Sequence, residues 1–184
     1  LKNANFDTSQ GFGLRAVAGE TSGYSHASEL SEQALLRAGK TVKAVQDGHH
    51  GTMDVGPSQT NQKLYIDDNP LNHTPFESKV NVLSDIDAYA RQLDKRVKQV
   101  SASLSGSWQA VNIMRSDGSR AADIRPLVRL NVSCIVGEGD RMEAGSFGTG
   151  GRESYEKFIN VETWKMAVEE SLRQALINLE SIPA

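Results

Sequence analysis

The feature that most constrains the fold is a change in the spacing of apolar residues near position 100. Before this point the apolar residues recur at helical spacing, and after it they alternate with polar residues. The clearest alternation runs from Val128 to Val136, where every second residue is apolar. A period of two is typical of an antiparallel strand that buries one face and exposes the other.

Apolar residues at helical spacing flank the alternating region on both sides. The first helix is predicted to run to Val100, with Ile86 at the edge of its apolar face, and the last to begin near Val161. The apolar positions of the two helices are Val80, Leu83, Ala90, Leu93, Val97 and Val100, and then Trp164, Ala167, Val168, Leu172, Ala175, Leu176 and Leu179. Between them we expect four antiparallel strands, with a break at Pro126. The last strand should span 141–147 and lead into a glycine-rich stretch that forms either a flexible loop or the end of the sheet.

This order of elements predicts an α+β fold, with antiparallel sheet or sheets and helices packed on one face. The N-terminal segment predicts a hairpin that turns at Gly19, followed by a helix capped by Ser28 or Ser31. Asp47-Gly48 should end this helix. Its apolar face should consist of residues that recur about every four positions, with Leu35 beside them: Leu30, Ala34, Ala38, Val42 and Val45.

These patterns divide the chain into three parts. We expect a hairpin–helix subdomain at 1–48, an irregular connection at 49–79 and a helix–meander–helix subdomain at 80–184. The connection should contain one short strand at 63–66, because its other residues are mainly Gly, His, Asn, Asp and Pro.

Composition argues against several classes of function. The net charge of −3 and the pI near 5.8 argue against a nucleic-acid-binding domain, which is usually basic. No apolar run reaches the roughly 18 residues that span a membrane. The single cysteine, Cys134, rules out an internal disulfide, and its place in the alternating strand predicts a buried, inert thiol.

The titratable residues form no recognisable catalytic or metal-binding motif. The four histidines have no helical ligand spacing, so we assign no catalytic residue and no metal ligand; they are His26, His49, His50 and His73. Basic residues recur between positions 91 and 129, and with this net charge we expect a solvated face or interdomain salt bridges instead of a nucleic-acid groove. They are Arg91, Lys95, Arg96, Lys98, Arg115, Arg120, Arg125 and Arg129.

The predicted sheet offers the more informative surface. Helices on one face leave the other face, and an edge, available to an extended peptide as an added strand. The candidate contact residues lie in the glycine-rich stretch and are Gly148, Gly150, Gly151 and Arg152. Alternatively, another domain or subunit covers the sheet, which would suit the apolar residues Val111 and Ile113.

Several ungapped segments resemble the TldD/PmbA family, and more closely its TldD branch. They are GFGLRAVAGE at 11–20, DKRVKQVSASLSG at 94–106, AADIRPLVRL at 121–130, GTGGR at 148–152 and ALINL at 175–179. The resemblance covers nearly the whole chain except the stretch near 47–79. It implies that this chain is the N-terminal part of a longer protein.

The resemblance implies a cytoplasmic zinc metallopeptidase that cleaves unfolded peptides, such as peptide-antibiotic precursors and a labile antitoxin, as a homo-oligomer or with a paralogue. The family's zinc motif, His-Glu-x-x-x-His, does not occur here. We therefore expect this chain to bind no zinc, to be inactive alone and to contribute peptide handling and subunit contacts. Two alternatives are a noncatalytic scaffold or dimerisation module of the paralogous subunit, and a modulator of DNA gyrase acting by protein contact.

Overall fold

A computed structural model describes residues 2–44 and 66–182. They fall into two compact units, one in the N-terminal range and one in the C-terminal range. Each unit combines helices with an antiparallel sheet, which confirms the expected α+β class. None of the helices in the described ranges is long and apolar enough to cross a membrane.

The N-terminal unit is a hairpin followed by a helix. Strands β1 (Phe12–Ala18) and β2 (Thr21–Ala27) pair antiparallel, and helix α1 spans Glu32–Lys43. Gly19 turns the hairpin with φ of 59°, a conformation that glycine adopts without a steric penalty. The hydroxyl of Ser31 caps α1 by accepting a hydrogen bond from the Ala34 amide at 3.1 Å.

One face of α1 is buried as expected and its flanks are not. Ala34, Ala38 and Val42 are buried, whereas Leu30 and Leu35 are about half exposed, at 55% and 50%. The expected stop at Asp47-Gly48 lies outside the described residues, as do Val45 and the strand predicted at 63–66, except for Ile66.

The C-terminal unit contains one sheet and four helices among its described residues. Its elements, in chain order, are α2 (Pro70–His73), α3 (Phe76–Leu93), β3 (Val97–Met114), β4 (Arg120–Glu138), β5 (Arg141–Gly151), α4 (Glu156–Ile159) and α5 (Val161–Glu180). The sheet order is β3-β4-β5, with both pairs antiparallel. The range 49–79 was expected to be irregular, but it contains helix at 70–73 and 76–79. The division of the chain into three parts stays a prediction.

The prediction that α3 reaches Val100 is wrong. The helix ends at Leu93, and both Val97 and Val100 belong to β3. Asp94 is extended, and its carboxylate accepts hydrogen bonds from the backbone amide and the guanidinium of Arg96. This local turn competes with a further helical turn. Ile86 lies at the centre of the buried helix face, with no exposed area.

The predicted break at Pro126 is also wrong, so the meander has three long strands. β4 continues through Pro126, which is paired with Trp108. Strand β5 ends at Gly151 opposite Val128, so at Pro126 only β3 lies beside β4. The Pro126 carbonyl accepts a hydrogen bond from Arg152, just past β5, at 3.5 Å. Its ring nitrogen faces the same, unpaired side, so the missing N–H costs no ladder hydrogen bond.

The core lies between the helices and one face of this sheet. Val128, Leu130, Val132, Cys134 and Val136 of β4 are all buried against residues of α3 and α5. Most of the expected face of α5 is buried too, with Leu176 only partly so. Periodicity alone therefore located the two layers correctly.

The two layers approach each other closely at Gly145 of β5. A Cβ atom there would overlap the carbonyl oxygen of Ser171 and the amide nitrogen of Ala175, both in α5. Ser171 and Ala175 are fully buried. The small size of Gly145, Ser171 and Ala175 therefore lets α5 pack directly against the backbone of β5.

We predict that Gly145→Ala lowers the free energy of unfolding by about 2 kcal/mol, because the added methyl group meets backbone atoms that cannot rotate away. Urea unfolding measures this loss. Gly137→Ala is the control, since the atoms nearest its new Cβ, Lys98 Cγ at 3.2 Å and the Arg141 carbonyl oxygen at 3.3 Å, are close but do not overlap it. Equal loss in both variants would contradict the close approach.

Candidate functional site

The sheet face opposite the helices carries small and polar side chains. We call it the open face. From Ser101 to Ser107 every second residue of β3 is a serine, and these serines all lie on the open face. Its other positions, fixed by strand register, are Gln99 of β3, Leu127, Arg129, Asn131, Ser133 and Ile135 of β4, and Ala144, Ser146, Gly148 and Gly150 of β5. The long helices of this unit, α3 and α5, pack on the other face of the sheet.

A row of hydrogen bonds crosses the middle of the open face. The Asn131 amide nitrogen donates to Ser103 Oγ at 3.4 Å, and Asn131 Oδ1 accepts from Arg129 Nε at 2.8 Å. The residues opposite Asn131 and Arg129 on β5 are Gly148 and Gly150. Side chains from β4 therefore occupy space that β5 leaves empty.

The predicted contact residues lie at the end of the sheet, which is one of the two settings expected for them, but the strand is longer than predicted. Gly148, Gly150 and Gly151 belong to β5, which extends to Gly151 instead of ending at Phe147. The glycine-rich stretch is thus mostly strand, paired with β4 throughout. Arg152 follows directly and donates to the Pro126 carbonyl. The role of these four residues in peptide contact remains a prediction.

Both outer strands of the sheet have an unpaired edge in the described part of the chain. β3 and β5 pair only with β4 there. On β5 the edge runs through the glycine-rich stretch, where no side chain at Gly148 or Gly150 stands beside it. Unpaired backbone amides and carbonyls of this kind accept an added strand.

Cys134 is a buried thiol as predicted. It has no exposed area, and its Sγ lies 3.3 Å from Ser171 Oγ in α5. Burial raises the pKa of the thiol, and the hydrogen bond with Ser171 only partly opposes this. A neutral, enclosed thiol is a poor nucleophile.

The described residues do not provide a metal site. They contain no group of three or more His, Cys, Asp or Glu side chains placed to hold an ion. His26 stacks on Tyr24 with ring centroids 5.8 Å apart, and His73 lies in the other unit. His49 and His50 lie outside the described residues.

Several of the basic residues form salt bridges with partners close in sequence, not the interdomain salt bridges that we expected as one alternative. Arg91 pairs with Asp87 at 3.0 Å, and Arg96 pairs with Asp94 at 2.8 Å. Arg115 and Arg125 pair with Asp117 and Asp123 in the same way. Arg129 differs, because it donates its hydrogen bond to the neutral Asn131. The sequence analysis grouped Arg129 with the other basic residues, because the neighbours of Arg129 on adjacent strands depend on a strand register that the sequence does not reveal.

Family models cover most of the chain. Residues 69–179 match the central domain of the PmbA/TldA metallopeptidases, and residues 1–45 match domain 1 of the same proteins. The chain belongs to the TldD/PmbA metallopeptidase family. The boundary between the two matches falls between the two compact units.

Relatives in the family are named as metalloproteases. The chain is 38% identical over 192 residues to the metalloprotease TldD homolog of Haemophilus influenzae, with all of the chain and 40% of that protein covered. It is 35% identical to the homolog of Buchnera aphidicola subsp. Schizaphis graminum, covering 98% of the chain and 39% of the relative. The chain therefore spans about 40% of the length of these TldD/PmbA relatives.

A solved structure supports the fold of this TldD/PmbA chain. TldE from Thermococcus kodakarensis superposes with a TM-score of 0.67 at 11% identity, covering 88% of this chain and 36% of that one. The arrangement of strands and helices is thus shared at low sequence identity.

We predict that Cys134 reacts with a thiol reagent at least about 100-fold more slowly in the native protein than in guanidinium, because it is neutral and enclosed. Absorbance after mixing with a disulfide reagent at pH 8 measures both rates. Cys134→Ala should give no signal. Equal rates in the two conditions would contradict the buried thiol.

Proposed function

We propose that this chain is a noncatalytic region of a TldD-like zinc metallopeptidase, where it holds unfolded peptides and contributes subunit contacts. The observation that supports the peptide role is the outer edge of β5, which has no partner strand among the described residues, although Asn178 of α5 donates a hydrogen bond to its Ala144 carbonyl at 3.0 Å. The glycine-rich end of β5, past Ala144, is therefore the part of the edge that we propose for peptide binding. An extended peptide would add to this edge as a further antiparallel or parallel strand.

Backbone pairing suits a peptidase that acts on unfolded substrates. Main-chain hydrogen bonds do not depend on the side chains of the peptide, so many sequences bind alike. Gly148 and Gly150 leave the end of the β5 edge free of side chains on the open face. A bound peptide would therefore meet little steric selection there.

We place catalysis outside the residues of this chain. Its sequence lacks His-Glu-x-x-x-His, the zinc motif that the family resemblance implies, and it spans about 40% of its relatives. We propose that the rest of the protein binds zinc, that the chain alone is inactive as a peptidase, and that the whole protein is cytoplasmic. Precursors of peptide antibiotics and a labile antitoxin are the proposed substrates.

Strand addition predicts a dependence on alternate peptide amides, because only every second amide of an added strand faces β5. We expect one set of N-methylated positions in an unstructured ten-residue peptide to weaken binding at least about tenfold, and the alternate set to leave it nearly unchanged. Fluorescence anisotropy with the 184-residue chain measures both. Equal effects of the two sets, or no binding of the unmethylated peptide, would contradict peptide handling by strand addition.

A second role, as a scaffold for dimerisation with a second copy or the paralogous subunit, is favoured by a projecting arm. β3 and β4 continue past the end of β5 as a two-stranded ribbon, Ser107–Met114 with Arg120–Leu127. Its apolar side chains are exposed, with Ile113 at 52%, Met114 at 64% and Leu127 at 45%. Apolar side chains exposed along such a ribbon are available for protein contacts.

We predict that Ile113→Ser weakens association with the partner subunit about tenfold without a comparable loss of stability, because the side chain is half exposed before binding. Sedimentation velocity measures association. Ile177→Ser on α5 is the matched control, since Ile177 is 53% exposed. The arm has no such role if both variants associate as the unchanged chain does.

A further inference from the structure

The Arg129 guanidinium on the open face is held in place without a carboxylate. Asn131 Oδ1 accepts from Arg129 Nε at 2.8 Å, and Asn131 is in turn fixed by its bond to Ser103 Oγ. No acidic side chain lies within salt-bridge distance of Arg129 in the part of the chain that is described. Its terminal nitrogens therefore keep donors for another group.

The same guanidinium lies beside β5 because that strand lacks side chains there. A Cβ atom placed on Gly148 would be 3.0 Å from Arg129 Nη2 and 2.7 Å from Asn131 Oδ1. Arg129 is itself paired with Gly150, so its side chain leans along β5 towards Gly148. Any larger residue at 148 would push the guanidinium or the Asn131 amide away.

The surroundings of Arg129 favour a negatively charged ligand. From Gln99 to Ser107, Leu127 to Ile135 and Ala144 to Gly150, the open-face positions include no Asp or Glu. Arg129 is the only charged residue among them. A local positive charge without internal neutralisation attracts anions even on a protein whose net charge is negative.

We propose that Arg129 binds the carboxylate of an acidic side chain on a peptide added along β5, and so gives the peptide site a preference for Glu or Asp at one position. Adjacent strands lie about 4.8 Å apart, so a peptide beyond β5 would place one outward side chain next to the guanidinium. The terminal nitrogens of Arg129 match a carboxylate in bidentate geometry. This inference rests on the proposed strand addition.

A pair of peptides that differ in one group tests the preference. Two unstructured ten-residue peptides carry a series of Glu or of Gln at alternate positions and are otherwise identical. We expect the 184-residue chain to bind the Glu peptide about fivefold more tightly, and Arg129→Gln to remove this difference while leaving the affinity for the Gln peptide unchanged. The difference should also shrink as salt is raised.

Two further variants separate Arg129 from charge in general. Arg91→Gln removes an equal charge from α3, on the helix side of the sheet, and should keep the Glu preference. Gly148→Ala keeps Arg129 but fills the space beside it, and should reduce the preference. Anisotropy titrations measure the affinity of the unchanged chain and of the three variants for both peptides, and the ratio of the two affinities gives the Glu preference of each protein.

The outcomes distinguish the two proposals. If both peptides bind equally to the unchanged chain, or if Arg129→Gln weakens both alike, strand addition stands and the acidic preference is wrong. If neither peptide binds, the peptide-handling function fails and the preference with it. If sedimentation shows that Arg129→Gln abolishes self-association, a second copy occupies the face and the peptide proposal is overturned.

Discussion

Burial of the alternating side chains of β4 determines the remaining features of the C-terminal unit. Val128, Leu130 and Val132 cannot leave the core without exposing the apolar surface that the helices cover. Because the period of a strand is two, a shift of one residue would reverse both faces at once. The core therefore also fixes which side chains, Arg129 and Asn131 among them, project from the open face.

Strand β5 contains glycines for two different reasons, and they face opposite sides. Gly145 faces the core and lets α5 approach to backbone contact, so its small size serves packing. Gly148 faces outward and leaves room for the Arg129 and Asn131 side chains. Backbone freedom explains neither position, since both lie in regular strand. A single glycine-rich segment thus serves stability through one face and the candidate site through the other.

Periodicity predicted the layers of the fold well and their boundaries less well. The face of α5 and the alternation of β4 follow from the buried surface, which leaves a direct pattern in sequence. The end of α3 at Leu93 depends on a local turn by Asp94, and the continuity of β4 at Pro126 depends on where β5 ends. The first is a local hydrogen-bonded turn that the spacing of apolar residues does not record, and the second involves a strand that is remote in sequence. For the same reason Arg129 could not be separated in sequence from the other basic residues.

The acidic composition of the chain conceals the charge of its open face. Most carboxylates that form ion pairs lie on helices or near turns beside the arginines they neutralise, such as Asp87 with Arg91 and Glu170 with Arg173. Each such pair adds nothing to the net charge and leaves little field beyond its own surface. Because ligands respond to the potential at the surface they approach, net charge is a weak guide to the ligand of one face. A chain with net charge −3 can therefore offer a cationic position to an acidic peptide, provided that its acids lie elsewhere.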